Sequence, residues 1–189
     1  MDEAYWTKRY QDNNTGWNIG YASTPLVQYI NTSLDKNSRI LIPGAGNGFE
    51  AEYLFKNGFE NVHVLDISSE PLKHFSKRNP DFPEEQLHQG NFFSFEGKFD
   101  CIIEQTFFCA LNPDLREDYS VKMKTLLKPN GKLVGVLFNF PLTEVGPPYG
   151  GDLASYNHIF SSWNRFKIAP CYNSIPPRNN KEFFFTASI

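Results

Sequence analysis

One glycine-rich stretch constrains the fold of this 189-residue chain more than any other. It occupies Ile40–Phe49 and reads Ile-Leu-Ile-Pro-Gly-Ala-Gly-Asn-Gly-Phe, so an apolar run leads into glycines at alternate positions. An amphipathic segment follows, with Ala51, Leu54 and Phe55 on its apolar face. Glycine tolerates positive φ and lets a ligand approach the backbone closely. The stretch therefore predicts a strand, a tight turn and a helix, with a ligand site at the turn.

Predicted strands and helices alternate along the middle of the chain. Strands are predicted at Arg39–Ile42, Asn61–Asp66, Leu87–Gln89, Phe99–Glu104 and Lys132–Phe138. Helices are predicted at Phe49–Asn57, Ser69–Lys77 and Pro113–Leu127, and a turn at Lys128–Gly131. Such alternation is typical of a parallel sheet with helices on both faces.

The carboxyl-terminal part departs from this alternation. A Pro- and Gly-rich loop near 141–152 precedes a predicted helix at Asp152–Ser162. Two further strands, at Phe166–Tyr172 and Glu182–Ser188, predict an antiparallel hairpin at one edge of the sheet.

The amino-terminal residues 1–35 predict helices that precede the first strand. Trp6 and Tyr10 lie four positions apart, on one face of a helix, and Pro25 opens a second helix. These helices could form an ordinary layer over the sheet or a lid that closes over a ligand. Spacing alone favours the ordinary layer.

Composition excludes several classes of protein. The formal net charge of -3 argues against nucleic acid as a main partner, because nucleic-acid-binding surfaces are basic. No apolar run could cross a bilayer, and the acidic, polar start lacks the features of a signal peptide. The 3 cysteines are widely spaced and predict neither a disulfide framework nor a metal site. We therefore expect a cytoplasmic protein, and the composition favours a monomer.

The residues after the glycines discriminate between ligand classes. A nucleoside triphosphate site needs Lys followed by Ser or Thr, where this chain has Phe49 and Glu50. A dinucleotide site needs glycine in place of Phe49, and Glu50 would repel a pyrophosphate. S-adenosylmethionine carries no phosphate, so its amino-acid end can pass over Gly44 and Gly46. Its ribose hydroxyls need a carboxylate, which Asp66 supplies at the end of the second strand, about 20 residues further on.

Motifs along nearly the whole chain resemble those of one enzyme family. They are Trp6–Tyr10, Gly16-Trp17, Thr24-Pro25-Leu26, Pro43–Gly48, Leu65–Ser68, Phe99-Asp100, Phe107–Ala110, Leu127–Gly131, Gly146–Tyr149 and Ile175-Pro176. In this order they resemble the class I methyltransferases, and among them the thiopurine S-methyltransferase family, especially its plant halide/thiol methyltransferase branch. The resemblance implies an α/β, Rossmann-like single domain over residues 1–189. It implies a mostly parallel seven-stranded sheet with an antiparallel edge hairpin, an amino-terminal helical lid over 1–35 and a core over 36–189.

The resemblance also implies which residues bind S-adenosylmethionine. The expected contacts are Trp6, Tyr10, Trp17, Gly44, Gly46, Asp66, Ile67, Asn91, Phe92 and Gln105. The aromatic residues of the amino-terminal segment would cover the cofactor, and the glycines would contact its methionine portion. Asp66 would bind the ribose, Asn91 and Phe92 would meet the adenine, and Gln105 would lie beside the sulfonium.

Tyr149 is the catalytic residue that the resemblance implies, since it would line the acceptor pocket and hydrogen-bond the acceptor. The chain departs from the family pattern at three positions: Tyr10 replaces a second Trp, Asn18 replaces an Asp, and Asn91 replaces the Asp that accepts from the adenine amino group. An Asn oxygen can accept the same bond. The other two changes bear on the size and identity of the acceptor.

The expected reaction is an in-line methyl transfer, with S-adenosylhomocysteine as product. An acceptor that is already an anion needs neither a metal nor a strong base, and the scattered histidines offer neither. We therefore expect a small anionic acceptor: hydrosulfide or another thiol, a thiopurine-like aromatic thiol, or a halide. The alternatives are a non-catalytic S-adenosylmethionine-binding module and an N- or O-methyltransferase. Methyltransferases of exocyclic amines carry Asn/Asp-Pro-Pro-aromatic after the fourth strand, where this chain has Glu104–Phe107.

Overall fold

A 7-stranded sheet organises the computed structural model, which describes residues 1–189. The strands are β1 (Ile40–Pro43), β2 (Val62–Asp66), β3 (Leu87–Gln89), β4 (Phe99–Gln105), β5 (Leu127–Phe138), β6 (Arg165–Pro170) and β7 (Glu182–Ser188). Their order across the sheet is β3-β2-β1-β4-β5-β7-β6. Strands β1 to β5 are parallel, whereas β7 is antiparallel to both β5 and β6. The predicted parallel sheet with an antiparallel edge hairpin is confirmed.

Helices cover both faces of this sheet. They are α1 (Glu3–Gln11), α2 (Thr24–Ser33), α3 (Phe49–Lys56), α4 (Ser69–Arg78), α5 (Arg116–Leu126) and α6 (Leu153–Ile159). None of them combines the length and the apolar character that a membrane span requires.

Alternation along β1 decides which helices each face receives. Ile40 and Ile42 pack in one buried cluster with Leu26 of α2 and with residues of α3 and α4. Leu41 points to the other face and packs in a cluster that contains Tyr119 of α5 and residues of α6. Because successive side chains of a strand point to opposite faces, a fully apolar β1 requires helices on both.

Some predicted element boundaries are wrong. The helix predicted at Pro113–Leu127 begins as a 3-10 turn, and α5 proper starts at Arg116. The turn predicted at Lys128–Gly131 belongs to β5, which already pairs with β4 at Leu127. Residues 128–131 bulge opposite Asp100, whose carboxylate accepts a hydrogen bond from Lys128 Nζ at 2.7 Å. The burial of Leu127 and the Lys128–Asp100 ion pair keep the Pro- and Gly-containing segment within β5.

The last elements are shorter than predicted. Helix α6 ends at Ile159 rather than Ser162, because the chain turns there to bury Phe160 and Trp163 in the core. Strand β6 ends at Pro170 rather than Tyr172, since its last register partner in β7 is Phe183.

Substitution of Gly48, at the start of α3, tests the packing of α3 against α4. Its φ of +69° lies in the left-handed region, and a Cβ there would lie 2.5 Å from the ring of Phe75 in α4. We expect Gly48→Ala to lower the free energy of unfolding by about 1–3 kcal/mol, because left-handed strain and displacement of the ring add. Chemical denaturation measures the change. Gly16→Ala is the control, since Gly16 has no left-handed φ and nothing within 4 Å of an added Cβ; equal losses in both variants would contradict this account.

Candidate active site

A cavity of about 420 Å³ lies at the carboxyl ends of β1, β2 and β4. Its volume is typical of small-molecule sites, and the carboxyl ends of parallel strands are where open α/β sheets bind ligands. Every residue that the sequence predicts as a cofactor contact lines it: Trp6, Tyr10, Trp17, Gly44, Gly46, Asp66, Ile67, Asn91, Phe92 and Gln105. Sequence reasoning therefore found residues that the fold brings together around one cavity.

Asp66 ties the glycine loop to the end of β2. Its Oδ2 accepts a hydrogen bond from the Gly46 N–H at 2.9 Å, and its Oδ1 accepts one from the Ser68 N–H at 2.9 Å. Burial raises the pKa of Asp66, against the opposing effect of these backbone bonds. Each carboxylate oxygen has a second lone pair, so Asp66 can still accept bonds from hydroxyls in the cavity.

Aromatic side chains pack closely against the glycine loop, so a residue with a Cβ does not fit at Gly44 or Gly46. A Cβ on Gly44 would lie only 2.1 Å from the ring of Phe107, and one on Gly46 would lie 2.8 Å from the Tyr10 hydroxyl. Of the two phenylalanines after β4, Phe107 lines the cavity and Phe108 is 1% exposed in the core.

The amino-terminal segment covers the cavity through a cluster of aromatic rings. Trp17 lies edge-on to Trp6 at 5.4 Å and to Tyr10 at 5.7 Å between ring centroids. The guanidinium of Arg9 lies 5.2 Å from the centroid of the Trp17 ring. Arg178, which precedes β7, donates from Nη2 to the Trp17 carbonyl at 2.9 Å. The segment is thereby attached to the carboxyl-terminal hairpin.

A polar chain runs along the wall of the cavity between α3 and β4. Ser23 donates from its N–H to Glu50 Oε1 and from its Oγ to Gln105 Oε1, each at 2.9 Å. Gln105 Nε2 is buried and has no hydrogen-bond partner in the protein. Burial raises the pKa of Glu50, against the opposing effects of the Ser23 bond and of Arg178. The wall therefore presents an unused donor beside a buried carboxyl group.

The opposite end of the cavity is shaped by the turn after β3. Asn91 Oδ1 accepts a hydrogen bond from the Phe93 N–H at 2.9 Å, which caps a short 3-10 helix at Phe92–Ser94. The Phe92 ring lies edge-on to Phe107, with centroids 5.0 Å apart. The Asn91 side chain thus serves the turn as well as the cavity.

The structure does not bring Tyr149 into the cavity. Pro147 and Pro148 line it, but the ring of Tyr149 lies against Gly146, where an added Cβ would be 2.8 Å away. The Tyr149 N–H donates to the Cys109 carbonyl at 2.8 Å, and this bond directs the two prolines toward the cavity instead. Tyr149 therefore lies outside the cavity lining, and its predicted contact with the acceptor stays a prediction that substitution tests.

Sequence reasoning missed three charged residues of the cavity wall, Arg9, Glu50 and Arg178. The sequence interpretation uses Glu50 only as a charge that would repel a pyrophosphate, although it lines the cavity and is 6% exposed. Arg178 lies between two strands of an edge hairpin, and it is 8% exposed with Nη1 3.4 Å from Glu182 Oε1. No local pattern marks Arg178, because only the return of β7 to the sheet brings it to the site.

The residues present fit S-adenosylmethionine and not a phosphate ligand. The Gly46 N–H, which could cradle a phosphate, is already bonded to Asp66, and no lysine lines the cavity. The amino-acid end of S-adenosylmethionine carries an ammonium and a carboxylate, and the cavity wall holds groups of both charges, the carboxyl groups of Glu50 and Asp66 and the guanidinium groups of Arg9 and Arg178.

Comparisons with known proteins agree with this geometry. The family model for thiopurine S-methyltransferase (TPMT) matches residues 1–182. The chain is 30% identical over 159 residues to probable thiol methyltransferase 2 of Arabidopsis thaliana, covering 82% of this chain and 70% of that protein. It is 28% identical to thiocyanate methyltransferase 1 of the same plant, covering 96% of this chain and 83% of the relative. It is 22% identical to a thiopurine S-methyltransferase of Vibrio parahaemolyticus, covering 86% and 83%.

Solved structures share the fold. A Burkholderia thailandensis 1,6-didemethyltoxoflavin-N1-methyltransferase with bound S-adenosylhomocysteine superposes with a TM-score of 0.75 at 16% identity, covering 98% of this chain and 85% of that chain. The DhpI-SAM-HEP complex superposes with a TM-score of 0.72 at 13% identity, covering 98% and 95%. The extent of the family match and the identity to the plant relatives show that this chain belongs to the thiopurine S-methyltransferase family and is an S-adenosylmethionine-dependent methyltransferase.

Proposed function

We propose that this methyltransferase acts on a small anionic nucleophile, foremost a thiolate such as hydrosulfide or an aromatic thiol, and also thiocyanate or a halide. The composition of the cavity wall carries the proposal. The wall holds no histidine and no lysine, yet it includes the buried guanidinium of Arg178 among apolar and aromatic side chains. An acceptor that is already ionised needs no base, and a cation in an apolar wall attracts it.

The residues around the cavity divide into three groups in this proposal. The main chain at Gly44 and Gly46 approaches the amino-acid end of the cofactor, and Asp66 accepts from the ribose hydroxyls. Asn91 and Phe92, in the turn after β3, hold the adenine together with Ile67, which follows β2. The third group, Trp6, Tyr10 and Trp17, covers the bound cofactor and excludes water. All of these residues line the one cavity.

Methyl transfer requires the chain to align the acceptor. S-adenosylmethionine supplies a methyl group bound to a positively charged sulfur. The protein must hold the nucleophile about 3–3.5 Å from that carbon, in line with the bond that breaks. We assign this alignment to the unpartnered Gln105 Nε2 and to Arg178, which can both donate to an anion. Because charge is neutralised as the new bond forms, a dry aromatic wall favours the transition state over the separated ions.

We further propose that the enzyme works as a cytoplasmic monomer without nucleic acid. The acidic balance of the sequence supports the monomer. The 3 cysteines are free and buried, which agrees with a reducing compartment. The net charge of -3 supports the expectation of no nucleic-acid partner.

A panel of acceptors tests the proposed function. Protein and S-adenosylmethionine are incubated in turn with hydrosulfide, thiocyanate, iodide and an aromatic thiol, and the methylated products are measured by gas or liquid chromatography. We expect turnover with anionic sulfur and little with a primary amine or an alcohol as controls. Methylation of the amine or alcohol alone would favour an N- or O-methyltransferase, and binding of cofactor with no turnover on any acceptor would favour a binding module.

Asp66→Ala tests the ribose assignment. We expect an affinity for S-adenosylmethionine at least about tenfold weaker by calorimetry, because a buried carboxylate–hydroxyl pair is lost. Asp100→Ala is the matched control. Asp100 also accepts a backbone N–H, that of Arg39 at 2.8 Å, but it does not line the cavity. The control should lose stability and keep its affinity; unchanged affinity in Asp66→Ala would remove Asp66 from the cofactor site.

Substitutions of Gln105 and Tyr149 test which of these two residues contacts the acceptor. We expect Gln105→Leu to lower kcat for thiocyanate at least about tenfold, because an oriented donor to the anion is removed. Tyr149→Phe should leave kcat within about twofold, since the Tyr149 ring packs on Gly146 outside the cavity wall. Steady-state kinetics of both variants decide the question. The reverse ranking would restore Tyr149 as the catalytic residue.

A further inference from the structure

The chain takes a strained path where β4 ends in the cavity. Thr106 has a φ of 58°, in the left-handed region that β-branched residues rarely adopt. Its neighbours Gln105 and Phe107 both line the cavity. Holding a β-branched residue in this conformation costs about 1–3 kcal/mol, so surrounding contacts must offset the strain.

One buried carboxyl group supplies those contacts. Glu104 is 0% exposed, and its Oε1 accepts hydrogen bonds from the N–H groups of both Phe107 (2.8 Å) and Phe108 (2.7 Å). These bonds close the turn directly over Thr106. The second oxygen, Oε2, is buried and has no hydrogen-bond partner. The contribution of Glu104 to local order therefore depends on a single oxygen atom.

We propose that Glu104 is a positioning residue for methyl transfer: its Oε1 holds the strained turn that directs Gln105 and Phe107 into the cavity. Glu104 does not line the cavity itself. It acts on the cavity wall through the turn, because Phe107 packs on Gly44, and Gln105, whose buried Nε2 has no hydrogen-bond partner, lines the cavity on the other side of Thr106. The proposal rests on the methyl transfer to an anion described above.

The alternative is a purely structural role, in which Glu104 only fills space in the core. Burial raises its pKa to about 7, and nearby Glu182 adds to the shift, so the group is unfavourable as a charge. Leucine fills a similar volume but leaves the Phe107 and Phe108 N–H groups without this acceptor, which costs about 1–3 kcal/mol for each buried group that stays unpaired. A space-filling role predicts that leucine is tolerated, whereas the positioning role predicts that only an acceptor oxygen is.

Four variants separate these possibilities. Glu104→Gln keeps an acceptor oxygen, Glu104→Leu removes it, Thr106→Gly removes the strain, and the double variant Glu104→Leu/Thr106→Gly combines the last two. We measure kcat and KM for thiocyanate and the affinity for S-adenosylmethionine. Glu104→Gln and Thr106→Gly should each stay within about threefold of the wild-type kcat. Glu104→Leu should lose about 100-fold in kcat, the scale of a 1 Å misplacement, with a smaller loss of cofactor affinity because Phe107 also packs on Gly44.

Rescue is the outcome that a space-filling role does not predict. In the double variant, glycine adopts the left-handed conformation without strain. We therefore expect the kcat of the double variant to be at least about tenfold higher than that of Glu104→Leu. Wild-type kcat in Glu104→Leu, or equal losses in the glutamine and leucine variants, would overturn the proposal. If the leucine variant does not fold, Glu104→Asp, which withdraws the oxygen by one methylene, should lower kcat about tenfold, and wild-type kcat there would overturn the proposal equally.

A second readout does not depend on the acceptor. We expect the amide hydrogens of Phe107 and Phe108 to exchange slowly in the wild type and in Glu104→Gln, and at least about tenfold faster in Glu104→Leu. Equal protection in all three would contradict the positioning role, whatever the enzyme methylates. A wild type that methylates none of the anions, with the expected exchange pattern, would instead contradict only the proposed function.

Discussion

The carboxylate of Asp66 is the interaction on which the site depends. It accepts one backbone N–H from the glycine loop after β1 and one from the turn that starts α4. Parallel pairing of β1 with β2 brings these two turns to the same edge of the sheet, but it does not order them. The buried Asp66 carboxylate orders the two turns because it accepts a hydrogen bond from one N–H group of each. Its remaining lone pairs face the cavity.

Glu104 repeats the same physical device at the end of β4. A buried carboxyl group again accepts two backbone N–H groups at the carboxyl end of a parallel strand, here both at one oxygen. The cost of burying each carboxyl group is visible in its raised pKa. Both turns present residues to the same cavity, and aromatic residues of the amino-terminal segment line it as well.

Local patterns predicted most of the fold because the strands and helices have strong periodicity. The start of β5 was mispredicted, since Pro129 and Gly131 are turn-forming residues and the Lys128–Asp100 ion pair that holds them in the strand is not local. Most residues predicted to bind the cofactor belong to a motif with a recognisable place in the fold, and all of them line the cavity. Tyr149 belongs to such a motif too, yet its ring packs on its own loop, and nothing in a Pro- and Gly-rich segment indicates which side chain turns inward.

The sequence by itself determined the strand–glycine turn–helix unit, the carboxylate at the end of the second strand and the exclusion of phosphate ligands. These follow from φ preferences, side-chain size and charge at adjacent positions, which need no tertiary information. Only the tertiary structure decided that Arg178 reaches the Trp17 carbonyl and the cavity, that Ser23 joins Glu50 to Gln105, and that Glu104 restrains a left-handed Thr106. The contacts of Arg178 and Ser23 join residues far apart in the chain, and the return of β7 between β5 and β6 and the close approach of α2 to β4 create them. The Glu104 contacts are local, but they depend on a left-handed backbone at Thr106 that no sequence pattern indicates.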